Sequence, residues 1–217
     1  MIVGPWETNC YLLGAKTGSE VVVVDAGLGA QAPVAKALDE QNLTLVGVIA
    51  THGHIDHIAD ATRLANRFDV PFLMHSGDDI MLTDPATGWD PQSFAMLMQL
   101  YGGPLPTPGK RVDLAGVDSI DVAGLHLGIV PAPGHTPGCV LITAQDEDGL
   151  IVWCGDVVFA GSVGRTDLPG GDASAMAQTL RDVVLPLDDA ARLLPGHGPV
   201  TTMRRERRHN PYLKESF

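Results

Sequence analysis

Positive charge is scarce in this sequence. Fourteen Lys and Arg face 26 Asp and Glu, a net charge of −12 over 217 residues. Phosphate backbones are bound through Lys and Arg, so the composition argues against a nucleic-acid partner. Cysteine is scarcer still. Cys10, Cys139 and Cys154 form an odd set with no CxxC spacing, which argues against a disulfide scaffold and fits a reducing, cytoplasmic setting. No apolar run approaches the roughly 18 residues of a membrane span, so no membrane partner is expected. The opening "MIVGPWETNCYLL" lacks the basic start and small-residue cleavage site of a secretory signal, and its abruptness leaves room for a missing leader or first strand. No Ser–His–Asp or Cys–His arrangement presents itself, so a side-chain nucleophile is not expected. The one basic run, "MRRERRHN", gathers Arg204, Arg205, Arg207 and Arg208. It reads first as a solvated helix face and second as an anion-binding edge.

What is present supports a core. The chain is 45% hydrophobic, and its length suits a single domain spanning 1–217. Short apolar runs recur, each punctuated by Gly or Pro: "VVVVDAG", "LVGVIATH", "PFLMH", "LHLGIVPAPGH", "CVLIT", "LIVWCGD" and "ARLLPGH". They read as strands. Helical stretches alternate with them, beginning with "APVAKALDEQ". "DHIADATRLANRF" places Ile58, Ala61, Leu64, Ala65 and Phe68 on one face, and "DASAMAQTLRDVVLPL" does so with Met176, Leu180, Val183 and Val184. Asp172 or Ser174 would cap the latter. The class is α/β. The stretch Ser76–Lys110 is least regular and is expected to hold one or two short helices and a proline-rich crossing. Within it, "SFAMLMQLYGG" is a candidate cover for a neighbouring chain.

Histidine is concentrated where strands end. "THGHIDH" sets His52 and His54 two apart after an apolar run, so strand alternation would aim both imidazoles to one side. Asp56 and His57 follow at the turn into a helix. Four such ligands in six residues suit two adjacent ions better than one. "PAPGHTPG" adds His135, "WCGDVVF" Asp156 and "LLPGHGPV" His197, each beside glycine, where the backbone turns tightly. Loops at strand ends are where α/β sheets build sites. A lone histidine after a strand is more often a hydrogen-bonded structural residue, and His75, His126 and His209 take that reading. The other five histidines, with Asp56 and Asp156, are read as seven metal ligands.

In this order, "THGHIDH", "PGHTPG", "CGDVVF" and "LLPGHG" resemble the metallo-β-lactamase superfamily over essentially the whole chain. The resemblance implies a four-layer αββα sandwich with a dinuclear site on one edge. His52, His54 and His135 would hold the first metal, Asp56, His57 and His197 the second, and Asp156 would bridge both. Asp25, at the end of "VVVVD", would orient a ligand histidine, although an ordinary turn aspartate is an equal reading. Asn9 and Tyr11 match a position near the site floor, with Tyr11 read as core.

Within the superfamily, zinc β-lactamases place cysteine where this chain has Asp156, which argues against antibiotic hydrolysis as the main role. The flavodiiron reductases carry Glu at the place of His54, and RNA-processing members carry basic grooves that an acidic chain lacks. "FAGSVGRTDLPGGD" and "ERRHNPYL" are similar to the short glyoxalase II-like (hydroxyacylglutathione hydrolase-like) enzymes. The glutathione-gripping helical domain of the longer members is not seen. The implied reaction is hydrolysis of a small hydroxyacyl thioester by a hydroxide shared between two divalent ions, with Asp56 as proton acceptor. Zinc is the first expectation, and iron or manganese the alternatives. Arg165 would meet a carboxylate of the substrate, pin the site loop, or pair with Asp167 or Asp172. The competing readings are a persulfide dioxygenase with a single iron on two histidines and an aspartate, a lactone or other ester hydrolase, and a non-catalytic metal-stabilised module.

Overall fold

The structure, a computed structural model, describes residues 1–88, 91–101 and 104–214. Two mixed sheets lie face to face. The first has five strands in the order Tyr11–Leu13, Glu20–Val24, Thr44–Ile49, Phe72–Met74 and Arg111–Asp113, parallel except for the first pair. The second has six, in the order Thr201–Thr202, Arg192–Pro195, Gly149–Gly155, Val140–Asp146, Leu125–Pro131 and Ser119–Val122. Only Gly149–Gly155 and Arg192–Pro195 pair in parallel there.

The unbroken run of valines has a direct cause. Val22 and Val24 face a seam shared with Leu127, Ile129, Ile142 and Trp153 of the other sheet. Val21 and Val23 face the opposite way, into a seam with Val34, Leu38, Leu64 and Ala65 on helices. A strand buried on both faces needs apolar residues at every position. In the second sheet Val140 and Ile142 face inward, while Leu141, Val152 and Cys154 pack outward against Met176, Leu180, Val184 and Met203. Helix, sheet, sheet and helix thus stack around three apolar seams. This is the expected αββα sandwich.

Two helical expectations change. "DHIADATRLANRF" is not one helix but two, Ile55–Ile58 and Ala61–Phe68. Periodicity runs through the break, but the Asp60 carboxylate accepts hydrogen bonds from Gly29 N, Gln31 N and Gln31 Nε2 instead of capping its own helix. Asp172, not Ser174, caps Ala173–Thr179 by accepting from Ser174 N and Ala175 N, and a π-turn over Leu180–Val184 continues it. Leu180 and Val184 are buried there and Val183 partly so. The Ser76–Lys110 stretch holds more helix than expected: short 3-10 turns at Ser76–Asp78 and Pro85–Gly88, and helices Asp79–Thr83 and Pro91–Tyr101. Positions 89, 90, 102 and 103 lie outside the described residues, so the neighbour-covering expectation for "SFAMLMQLYGG" falls partly outside them. No helix among the described residues is long and apolar enough to cross a membrane.

Candidate metal centre

All seven sequence-selected ligands meet at one edge of the sandwich. Their donor atoms form three overlapping groups, His52–His54–His135, His52–His57–Asp156 and Asp56–His57–His197, each with its atoms within 4.8 Å of one another. Six are buried, and His197 is partly open, its side chain 25% exposed. Strand alternation is not what aligns His52 and His54. The strand ends at Ile49, and both stand on the loop that follows. The edges of the two sheets are joined beside them, where Val140 N donates to the Thr51 carbonyl at 2.9 Å.

Hydrogen bonds on the outer side of each ring fix where its lone pair points. His57 Nδ1 lies 3.0 Å from Asp25 Oδ2, His135 Nδ1 2.7 Å from the Arg165 carbonyl, and His197 Nδ1 2.9 Å from the Trp6 carbonyl. Each acceptor requires a proton on Nδ1, so in the neutral ring Nε2 is the bare nitrogen, the one a metal would take. The Thr51 hydroxyl donates to Asp25 Oδ2, so it can only accept from His52 Nδ1 at 3.1 Å. His52 Nε2 is then a buried lone pair, and it has no hydrogen-bond partner. His54 turns its other nitrogen inward, with Nδ1 2.8 Å from His135 Nε2. His57 Nε2 and His197 Nε2 stand 3.2 Å apart. Converging nitrogen lone pairs repel unless a cation stands among them, and buried polar atoms rarely stay unpartnered. The residues fit metal ions.

The carboxylates complete the set. Asp156 Oδ1 lies 3.3 Å from His57 Nε2, and its Oδ2 lies 3.5 Å from both His135 Nε2 and His197 Nε2. Asp56 Oδ2 is 3.2 Å from His197 Nε2 and 3.7 Å from His57 Nε2. Burial pushes the imidazolium pKa of His52 well down and that of His54 down to about 3, helped by neighbouring imidazoles. Both are therefore neutral donors. Burial also works against charge on His57, but Asp56, Asp156 and Asp25 outweigh it and raise its pKa well above the ordinary value. Burial opposes ionisation of Asp56 and Asp156 too, and the facing histidines still hold both below the usual carboxylate range. So much negative charge around one ring is what a divalent ion would neutralise.

Two glycines make the crowding possible. A Cβ on Gly196 would stand 2.2 Å from Asp156 Oδ1 and 2.5 Å from His57 Cε1, and one on Gly164 would stand 1.8 Å from the Asp156 carbonyl. Asp25, at φ 56°, takes the orienting role and not that of a plain turn residue: besides His57 it accepts from Thr51 N at 2.8 Å. Tyr11 is half-buried, and its hydroxyl donates to the Pro195 carbonyl at 2.7 Å, while Asn9 Nδ2 donates to Pro195 and Gly198 carbonyls. Together they clamp the loop that carries His197. Sequence reading passed over Thr51, and over Asp78, whose fully buried carboxylate joins two ligand loops. Thr51 opens the "THGHIDH" motif without being a ligand itself, and Asp78 stands outside every motif that carries a ligand.

Arg165 stands at the mouth. It pairs with Asp167, donating from Nε at 2.7 Å and from Nη2 at 2.8 Å, and not with Asp172. Arg165 also lines a cavity of about 220 Å³ reached by Trp6, Asp56, Asp156, Leu168 and His197. The lone histidines are elsewhere: His75 Nδ1 accepts from Gly77 N, His126 pairs with Asp121, and His209 ends the helix Met203–His209. Of the basic run, Arg204, Arg205 and Arg208 are exposed, while Arg207 binds Asp189 and the carbonyls of Leu185 and Leu187.

An αββα sandwich with inward-facing histidines and carboxylates at the mouth of a cavity defines a metal-binding protein built for reaction at the metal. The chain belongs to the metallo-beta-lactamase superfamily, whose sequence model matches residues 3–197. It is 41% identical over 212 residues to an uncharacterized protein of Mycobacterium tuberculosis, spanning 95% of this chain and 92% of that one. It is 30% identical to a probable metallo-hydrolase, YqgX, of Bacillus subtilis over 98% and 95% of the two chains. To the hydroxyacylglutathione hydrolase GloC of Haemophilus influenzae the identity is 28% over 97% and 95%. Among solved structures it resembles the B3 metallo-beta-lactamase BLEG-1, with TM-score 0.81, 31% identity and coverage of 98% and 97%. TTHA1623 in a di-iron-bound form gives TM-score 0.78, 28% identity and 98% coverage of both chains. These relations support a metal-dependent hydrolase in the general sense.

Proposed function

We propose that this protein is a dinuclear-metal hydrolase that cleaves a small hydroxyacyl thioester. The observation that carries the proposal is the placement of Asp156 between the two groups, its Oδ1 facing His57 and its Oδ2 facing both His135 and His197. His52, His54 and His135 would hold one ion, Asp56, His57 and His197 the other, and Asp156 both. Bound there, two divalent ions supply a water of lowered pKa and a Lewis acid for the substrate carbonyl. Asp56 lines the cavity and remains ionised, so its carboxylate is available as a proton acceptor during hydrolysis. The departing thiolate, with a pKa near ~8.5 as a free thiol, needs no acid to receive it. A cavity of about 220 Å³ takes the acyl end and the thioester, leaving the thiol carrier outside. The likeness to a hydroxyacylglutathione hydrolase supports the thioester. Zinc is the first metal to try, and the di-iron neighbour supports iron as a second. No nucleic-acid partner is proposed for so acidic a chain.

The test is metal analysis beside four assays. The protein supplied with zinc or iron should carry close to two ions per chain and hydrolyse hydroxyacyl thioesters faster than β-lactams or lactones. A firm limit of one iron, with oxygen consumed on a persulfide substrate, would replace this reading with the dioxygenase.

Arg165 is proposed to hold the polar end of the substrate. The pair with Asp167 is exposed, with side chains 58% and 69% accessible, and such pairs contribute little to stability. Arg165→Ala should therefore lower kcat/KM about tenfold to a hundredfold, as expected for one lost charge-assisted bond, with metal content and Tm nearly unchanged. Intact kinetics beside a large fall in Tm would make Arg165 a residue of the fold.

A further inference from the structure

We infer that Asp78 is a positioning residue that holds the three-histidine group His52–His54–His135 in register without touching it. The inference rests on the two-metal reading above. Asp78 is fully buried at the end of the Ser76–Asp78 turn, far from every histidine motif in sequence. Its carboxylate receives three donors. Gly53 N donates to Oδ2 at 2.7 Å, the Thr136 hydroxyl to Oδ2 at 2.6 Å, and Gly138 N to Oδ1 at 2.7 Å. Gly53 lies between His52 and His54, and Thr136 directly follows His135. One side chain thus fixes both banks of the gap across which His54 Nδ1 and His135 Nε2 face each other at 2.8 Å.

The packing shows how closely the two loops are drawn in. A Cβ on Gly53 would come 2.6 Å from Asp78 Cβ, and one on Gly138 2.6 Å from Asp78 Cγ. Both loops carry glycine where Asp78 needs to approach. The second group is held by different means: His57 by Asp25, His197 by the Trp6 carbonyl, and the His197 loop by Tyr11 and Asn9. Asp78 takes part in none of these. Its loss should therefore act on one ion and spare the other, a split that general loosening of the fold would not produce.

Asparagine keeps the shape but offers one acceptor oxygen where three donors converge, so its amide must oppose either Gly138 N–H or the Gly53 and Thr136 pair. A titration of metal-free protein with zinc, followed by calorimetry, tests the inference. Wild type is expected to take two ions. Asp78→Asn should retain one at wild-type affinity and weaken the other about tenfold to a hundredfold, the range seen when residues behind a ligand are changed. Thr136→Val, which removes one donor and keeps the volume, should shift the same ion by less. In His197→Ala, which leaves the three-histidine group as the better site, adding Asp78→Asn should weaken the remaining ion.

Equal affinities in Asp78→Asn and wild type would overturn the inference, as would equal weakening of both ions beside a lower Tm. If Asp78→Asn does not fold, Thr136→Val decides: selective weakening supports the role and unchanged binding overturns it. A wild-type chain that takes only one ion would sink the two-metal reading instead. The Asp78 inference would then turn on whether that ion weakens in Asp78→Asn.

Discussion

Asp156→Ala should leave the protein unable to keep either ion and without measurable hydrolysis. Its carboxylate is the one that reaches toward His57 with one oxygen and toward His135 and His197 with the other. Removing it deprives both ions of an anionic ligand and leaves the charges of facing imidazoles less balanced. Metal participation contributes several kcal/mol to a reaction of this kind, and about 4 kcal/mol corresponds to about a thousandfold in rate. The expected fall in kcat/KM is therefore at least of that order, with metal content near zero after dialysis. His197→Ala should mainly loosen the second ion. Full metal content and near-normal turnover in Asp156→Ala would show that the aspartate does not bridge.

Chelation should lower the melting temperature by roughly 8–16 °C. An ion present at about a thousand times its Kd stabilises the folded chain by about 4 kcal/mol, and a chain of this length shifts by about 2–4 °C per kcal/mol. The sign with pH follows from His57. Its carboxylate neighbours raise its pKa against burial, so at neutral pH a proton sits where the ion would bind. Metal must displace that proton, and its apparent affinity should weaken as pH falls, about tenfold per unit for each proton released. Scanning calorimetry with and without a chelator at two pH values checks both statements. An unchanged Tm after full metal removal would mean that the cluster is already satisfied without ions.

Much of this was legible in the sequence because it is written in local patterns. "VVVVD" and "LIVWCGD" announce strands buried on both faces, and "THGHIDH" places four ligands within one turn of chain. What escaped was set by distant partners. Nothing near Asp60 tells that its carboxylate will leave its helix for Gly29 and Gln31, which is why one periodic stretch became two helices. Nor does "SGDDI" show that Asp78 will accept from residues 25, 58 and 60 positions away. Thr51 and the Trp6 carbonyl act through geometry at the back of a ring, and no spacing rule encodes that. Gly196 was noticed as a flexible neighbour of His197, whereas its stronger constraint is the missing space beside Asp156.

The ligands are drawn from both sheets, from His52 near the first to His197 at the end of the second, 145 positions apart in the chain. Such a site closes only after the long-range pairings of the chain are made, and contacts of that kind form late and slowly. No fragment ending before Asp156 holds a full set for both ions. The complete set therefore assembles only once the fold is made, even though four of its members lie together in "THGHIDH". Ions bound there would act as a latch on a finished molecule, slowing escape from the native state while leaving the speed of reaching it to the apolar seams.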